Sequence, residues 1–210
     1  MQFENWIFNK TNSNILNIFI HGFGSDSEQC KIDFMTSNLI QQRASCLFVS
    51  APYKSTFNNG RYWFPLTSNP LTTMQYSAVT ASILAEEITS FIEINQLKIN
   101  SINLFGHSQG GSIASLLPSF LAINVNILVN ISGLVDSNKY KKGNIPNYVY
   151  LYIGEKDYYF DNKMRVTIYN ALYDMYSVCN MLEPSNFDHQ LSNEYVNYIY
   201  SKLGYYFAST

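Results

Sequence analysis

The chain has 210 residues, of which 47% are hydrophobic and only 13% charged, with a formal net charge of −2. This balance excludes a disordered chain and suits a single domain over residues 1–210 with a sizeable core. No basic cluster exceeds Lys141-Lys142, which excludes nucleic acid as a partner, and no apolar run approaches the roughly 18 residues that span a bilayer.

Taken in chain order, residues 16–20 form an apolar run that reads as a buried strand. It ends in His21-Gly22-Phe23-Gly24. Acyl transfer builds negative charge on a substrate oxygen, and backbone N–H groups must already point at it. The flanking glycines let this loop fold tightly, so Phe23 is a candidate donor; a simple βα turn is the plainer alternative. A helix is predicted near 27–43 and a strand at 46–50. A long polar loop follows and closes on Arg61-Tyr62-Trp63-Phe64-Pro65. Large apolar side chains without periodicity fit neither a helix nor a strand face. Tyr62, Trp63 and Phe64 are therefore candidates for a pocket wall, or for a loop tucked against the core.

The spacing predicts an amphipathic helix over 73–95 with Ala78, Ile83, Leu84 and Ile88 on one stripe. Strand 101–105 then runs into Gly106-His107-Ser108-Gln109-Gly110 and a helix that Pro118 ends. Strand, sharp turn, helix, with a serine at the apex, is a nucleophile elbow. A serine is a weak nucleophile unless a base takes its proton. The turn lifts Ser108 clear of the sheet, where a distant histidine can reach it, and Gln109 follows as the second candidate oxyanion donor. Strands at 127–131 and 149–153 come next, the latter followed by Gly154-Glu155-Lys156-Asp157. Asp157 is the leading candidate acid. Asp136, also past a strand end, is the runner-up and Glu155 a weaker option, while Asp161 reads as a helix cap and Asp188 as an exposed loop charge. A helix near 161–176, a strand at 178–182 and a terminal helix over 192–207 complete the pass. The chain holds three histidines. His21 opens the glycine loop, and His107 sits inside the elbow, directed away from the serine. His189, in the loop before the last helix, is therefore the candidate base. The order Ser, Asp, His is one this architecture uses.

Alternating strands and helices predict an α/β fold with a mostly parallel, doubly wound sheet flanked by helices. No insertion is long enough for a separate cap domain, so loops, chiefly 53–72, would cover the site. Cys30, Cys46 and Cys179 form no framework pattern, which points to reduced thiols and a cytoplasmic setting. No spacing suggests a metal and no cofactor motif is present. The N-terminus lacks the basic start and apolar core of a signal peptide.

Together, His21-Gly22-Phe23-Gly24-Ser25-Asp26, the Gly-Arg-x-Trp-Phe-Pro run at 60–65, Gly106-His107-Ser108-Gln109-Gly110-Gly111, Gly154-x-x-Asp157 and the late His189 resemble the phospholipase/carboxylesterase family of α/β-hydrolases. Acyl-protein thioesterases and lysophospholipase-like esterases belong to that family. The resemblance implies a serine carboxylesterase with Ser108 as nucleophile, Asp157 as acid, His189 as base and oxyanion donors at Phe23 and Gln109. It implies short- to medium-chain acyl esters as substrates, with a lysophospholipid or an acylated protein as the narrower alternative. The elbow departs from the family's frequent Gly-Phe-Ser, and Phe187-Asp188 stand where a glycine usually flanks the histidine. Two readings lie apart: a catalytically inactive hydrolase fold used as a binding module, and an amidase using the same residues. The exposed part of the 62–66 aromatic run is a candidate homodimer face.

Overall fold

The computed structural model describes residues 3–35, 44–56, 59–135 and 143–208. In chain order the elements are β1 (Ile7–Asn9), β2 (Ile15–Ile20), α1 (Ser27–Phe34), β3 (Ser45–Val49), β4 (Tyr53–Lys54), β5 (Arg61–Tyr62) and α2 (Pro70–Ile94). There follow β6 (Ser101–His107), α3 (Gln109–Leu116), a short 3-10 turn over Leu117–Ser119, β7 (Asn124–Ile131), β8 (Tyr148–Tyr152), α4 (Asn162–Tyr176), β9 (Asn180–Leu182) and α5 (Asn193–Ala208). Seven strands pair in the order β1-β3-β2-β6-β7-β8-β9. All neighbours are parallel except the edge pair β1–β3.

The strands are near-continuous apolar runs because both faces of the sheet are covered. Leu16, Ile18 and Ile20 of β2, with Leu47, Ile102 and Leu104, meet α2, α3 and α4 through Leu84, Ile88, Ile113, Ile168 and Leu172. The alternate residues Phe19, Phe48 and Phe105 meet α1 and α5 through Phe34, Tyr195, Val196 and Ile199. On that second face Phe19 stacks on Phe48 and on Phe105, with ring centroids 4.8 and 4.9 Å apart. Capping sets the helix starts: the Asp26 side chain accepts from Gln29 N–H at α1, and Asp161 accepts from Met164 N–H at α4, as a cap should. Pro118 falls where α3 gives way to the 3-10 turn.

Three features differ from the sequence expectation. Strand β1 and the β4–β5 pair are additions, each too short to carry a periodic signal. The stripe of α2 is rotated: Ala81, Leu84, Ala85 and Ile88 are buried, whereas Ile83 is half-buried. Helix α1 ends at Phe34, and the remainder of the helix expected to 43 lies outside the described residues. Among the described residues no helix is long and apolar enough to cross a membrane.

Candidate active site

Five parallel strands end on one edge of the sheet, and each releases a loop there. Strand β2 releases His21 to Gly24, β6 releases Ser108, β7 releases Ser132, β8 releases Asp157, and the chain beyond β9 brings His189. This is the edge at which open parallel sheets bind ligands.

Ser108 stands between β6 and α3 with φ 54° and ψ −120°. A non-glycine residue at positive φ costs about 1–3 kcal/mol, which the surrounding structure must hold. The Ser108 amide donates to Ile131 O at 2.8 Å, and the Ser112 amide donates to Ser108 O at 3.1 Å. The elbow also requires bare backbone at Gly110, where a Cβ would lie 2.1 Å from Ile20 O. That close approach sets the elbow helix directly against the end of β2 and its loop.

Ser108 Oγ lies 3.0 Å from His189 Nε2, and His189 Nδ1 lies 2.9 Å from Asp157 Oδ2. A carboxylate only accepts, so Nδ1 carries the proton and Nε2 is left free to take one from Ser108. Asp157 is buried, and burial alone would raise its pKa. Hydrogen bonds from His189 and Ser132 outweigh that burial and hold the carboxyl below its ordinary value. The Ser132 hydroxyl donates to Oδ2 at 2.7 Å, and the Tyr159 amide donates to Oδ1 at 3.2 Å.

The Asp157 and His189 loops are locked to one another. Lys156 N–H donates to Phe187 O at 2.9 Å and Glu155 N–H to Pro184 O at 3.1 Å. The Gly-x-x-Asp turn needs its glycine for this reason: a Cβ on Gly154 would lie 2.2 Å from Phe187 O. Arg165 of α4, itself buried, ties the Asp157 loop from within, donating to Gly154 O at 2.9 Å and Phe160 O at 3.0 Å. The runner-up acid Asp136 lies outside the described residues.

The glycine loop is held from the other side. His21 Nδ1–H donates to Gly22 O at 2.7 Å, and Ala51 N–H donates to His21 Nε2 at 3.0 Å. Burial draws the His21 pKa down to about 4, so the ring stays neutral and structural. Gly24 N–H donates to Arg61 O at 2.8 Å. A Cβ on Gly22 would approach Ser108 Cβ to 3.3 Å, so this loop abuts the serine. Gln109 opens α3, where its amide has no intrahelical carbonyl to bond. Phe23, Ser108, Gln109 and His189 all line one cleft of about 940 Å³.

The aromatic run divides. Phe64 lines the cleft, with Leu66 beside it. Trp63 is not among the lining residues: its ring is fully buried under the glycine loop, and Nε1–H donates to His21 O at 2.7 Å. Tyr62 does not line the cleft either; it stacks on Tyr53 at 5.2 Å, across the β4–β5 pair. Their place is therefore the scaffold of the loop rather than the pocket wall. The Gln109 side chain fixes this segment, accepting from Trp63 N–H at 3.0 Å and donating to Phe64 O at 3.1 Å.

Several residues at the site escape the sequence reading. Ser132 has φ 53° and follows β7; the polar pair Asn130 and Ser132 at the end of a buried strand is its only outward sign. Asn130 shapes that turn, accepting from Gly133 N–H at 2.7 Å. Arg165 falls on the buried stripe of α4 with Ile168 and Leu172, where a charged residue is conspicuous. His107 also has a partner: its Nε2 lies 2.7 Å from His189 O, and the two rings are 5.3 Å apart.

The model of the family described as phospholipase/carboxylesterase matches residues 8–206. No curated protein matches the chain by sequence. Among solved structures, esterase PE8 superposes with a TM-score of 0.76 at 18% identity, covering 92% of this chain and 93% of that one. The Bacillus cereus carboxylesterase gives 0.75 at 16% identity, covering 95% and 93%. Arabidopsis thaliana SOBER1 gives 0.68 at 20% identity, covering 91% and 97%. These likenesses carry the α/β-hydrolase fold, and with a family match over nearly the whole length the chain belongs to the phospholipase/carboxylesterase family.

Proposed function

We propose that the protein is a serine carboxylesterase acting on short- to medium-chain acyl esters. The observation that carries this reading is the continuous hydrogen-bonded line from Ser108 Oγ through His189 to Asp157, at 3.0 and 2.9 Å, opening on a cleft. In the first half-reaction Ser108 Oγ attacks the ester carbonyl while His189 Nε2 takes its proton. The carbonyl oxygen gains the negative charge, and the Phe23 and Gln109 amides receive it. Asp157 keeps the imidazolium oriented and stabilised. Collapse of the tetrahedral intermediate breaks the bond to the alcohol oxygen, which leaves with the proton from His189. Water then repeats the sequence on the acyl-enzyme, its proton passing through His189 back to Ser108 as the acid departs.

The test is hydrolysis of p-nitrophenyl esters from acetate to palmitate, with Ser108→Ala alongside. The expected outcome is turnover peaking at short or medium chains and falling by at least about 10⁴-fold in the variant, which keeps its fold. Full activity in Ser108→Ala would overturn the reading. Folded wild type inert towards every ester, and inert towards a fluorophosphonate, would instead favour a binding module. Labelling without ester turnover would point to a larger substrate, an acylated protein or a lysophospholipid.

A further inference from the structure

We propose that His107 is a positioning residue: its Nε2–H holds the backbone carbonyl of His189 and so sets the distance between His189 Nε2 and Ser108 Oγ. The inference rests on the reading of Ser108 and His189 as nucleophile and base, and goes beyond it by giving the residue before the serine a role of its own.

His189 hangs on a loop, and its ring must stop within hydrogen-bond reach of a serine fixed to the sheet. The Asp157 carboxylate holds one ring nitrogen of His189 and the Tyr159 and Phe160 rings flank it at 4.8 and 6.0 Å, but none of these contacts fixes the backbone from which the ring hangs. A second, rigid point is needed, and the His189 carbonyl supplies it. Glu155 and Lys156 tether the loop at Pro184 and Phe187, whereas the bond on the His189 carbonyl itself comes from His107, at 2.7 Å. His107 is the last residue of β6, adjacent in the chain to Ser108, so nucleophile and base are referred to the same strand end. A carbonyl only accepts, so the His107 proton sits on Nε2. The ring's other nitrogen lies close to the glycine loop, where a Cβ on Gly22 would come within 3.0 Å of Nδ1. His107 therefore stands between the oxyanion loop and the base loop, with the nucleophile on its own backbone. Burial draws its pKa down to about 4, which keeps the ring a neutral donor in this setting.

Reach and donor chemistry separate the variants. A glutamine places its Nε2–H close to where the histidine Nε2–H lies. An asparagine has the same amide but falls one methylene short, and a phenylalanine fills the space with no donor. The experiment compares His107→Gln, His107→Asn and His107→Phe by second-order labelling rate with a fluorophosphonate, and by kcat and KM on the best p-nitrophenyl ester. Thermal unfolding is followed in parallel. Expected are labelling and kcat close to wild type in His107→Gln, and at least a tenfold fall in both for His107→Asn and His107→Phe, with KM within about twofold. Equal rates in the Gln and Asn variants would overturn the proposal, as would wild-type labelling by His107→Phe, or a loss confined to KM. Should the Phe variant not fold, the Gln–Asn comparison decides alone. Labelling needs no knowledge of the ester, so this result stands apart from the substrate assignment: a wild type that labels but cleaves no ester puts the substrate class at fault, and the variants still report on His107.

Discussion

His21 shows how one side chain can couple the site to pH without taking part in the chemistry. Its ring donates from Nδ1 to Gly22 O and accepts at Nε2 from Ala51 N–H, so a second proton would break the Ala51 bond inside a buried space. Its pKa falls from 6.5 to about 4, with burial as the leading cause. As the pH drops below 6.5 the unfolded chain binds a proton at this position while the folded chain does not. The unfolded state is thereby favoured, and stability must fall across the window from about 6.5 down to 4. A shift of this size corresponds to about 3 kcal/mol by the lower limit. His107, also drawn to about 4 by burial, works in the same direction over the same window. Asp157 is displaced in the same direction: its folded pKa lies below the ordinary 3.8, so its contribution is present above that value and is lost as the pH falls further, below the window of the histidines. Urea unfolding at pH 7.5 and 4.5 measures the effect. Wild type should lose a few kcal/mol, and His21→Gln should lose less between the two pH values. A wild-type unfolding free energy that stays flat would contradict the neutral, buried assignment.

At the scale of elements, the central pair β2–β6 carries a polar contact in an otherwise apolar sheet. Asn17 and Asn103 stand opposite each other in register, and Asn103 Nδ2 donates to Asn17 Oδ1 at 2.8 Å. Both side chains are buried, and Asn103 Oδ1 has no partner among the described residues. Removing one member leaves the other buried and unpaired, which costs about 1–3 kcal/mol, whereas replacing both by apolar groups of similar shape can be neutral or stabilising. Asn103→Leu should therefore lower the urea midpoint, and Asn17→Leu/Asn103→Leu should restore it to wild type or above. A double variant as unstable as the sum of its singles would show that the pair is net stabilising. These strands were legible in the sequence because their apolar runs are long and bounded by turn residues; the asparagines within them gave no sign of meeting, since register lies in no local pattern. The same limit explains the rotated stripe of α2. Its small residues Ala81 and Ala85 take the buried seats because α2 packs closely, and a count of large apolar residues favours Ile83 instead. The meeting of Ser108, Asp157 and His189 was legible because the first two lie past strand ends and His189 in the loop before the last helix, in a fixed chain order. Ser132, Arg165 and His107 were not, because what they do depends on loops that meet only in three dimensions. Trp63 and Tyr62 could be read as pocket wall or as loop support for a related reason: an aromatic side chain looks the same in sequence whether it faces a cleft or supports the loop beneath it.

The whole molecule works by making one sheet the common reference for five loops, and its stability and its chemistry should therefore separate. Strand β2 carries the glycine loop and β6 carries Ser108, and between them and β3 the Phe48–Phe19–Phe105 stack fills the layer under α1. Phe19 is fully buried and touches three rings, with Phe34 the third at 5.1 Å. Truncating a buried phenylalanine to alanine costs about 3–5 kcal/mol through lost transfer free energy and the cavity left behind. Total stabilities of domains are about 5–15 kcal/mol, so Phe19→Ala removes a large share of what holds the chain folded. The cavity opens in the layer under α1, on the other side of the sheet from Phe64; Phe34 and Cys30 of that layer also line the cleft, but the backbone hydrogen bonds of β2 to both neighbours, which hold the glycine loop and Ser108, remain. Molecules that stay folded should thus keep the Ser108–His189 geometry. Active sites titrated with a fluorophosphonate provide the count of folded, competent molecules, and kcat per titrated site in Phe19→Ala should stay within about twofold of wild type, while the urea midpoint drops sharply. Phe19→Leu, with a smaller cavity, should fall between. A kcat per site that collapsed together with stability would mean that the packing of this layer is transmitted to the elbow, and that the sheet is a less rigid reference than its pairing implies.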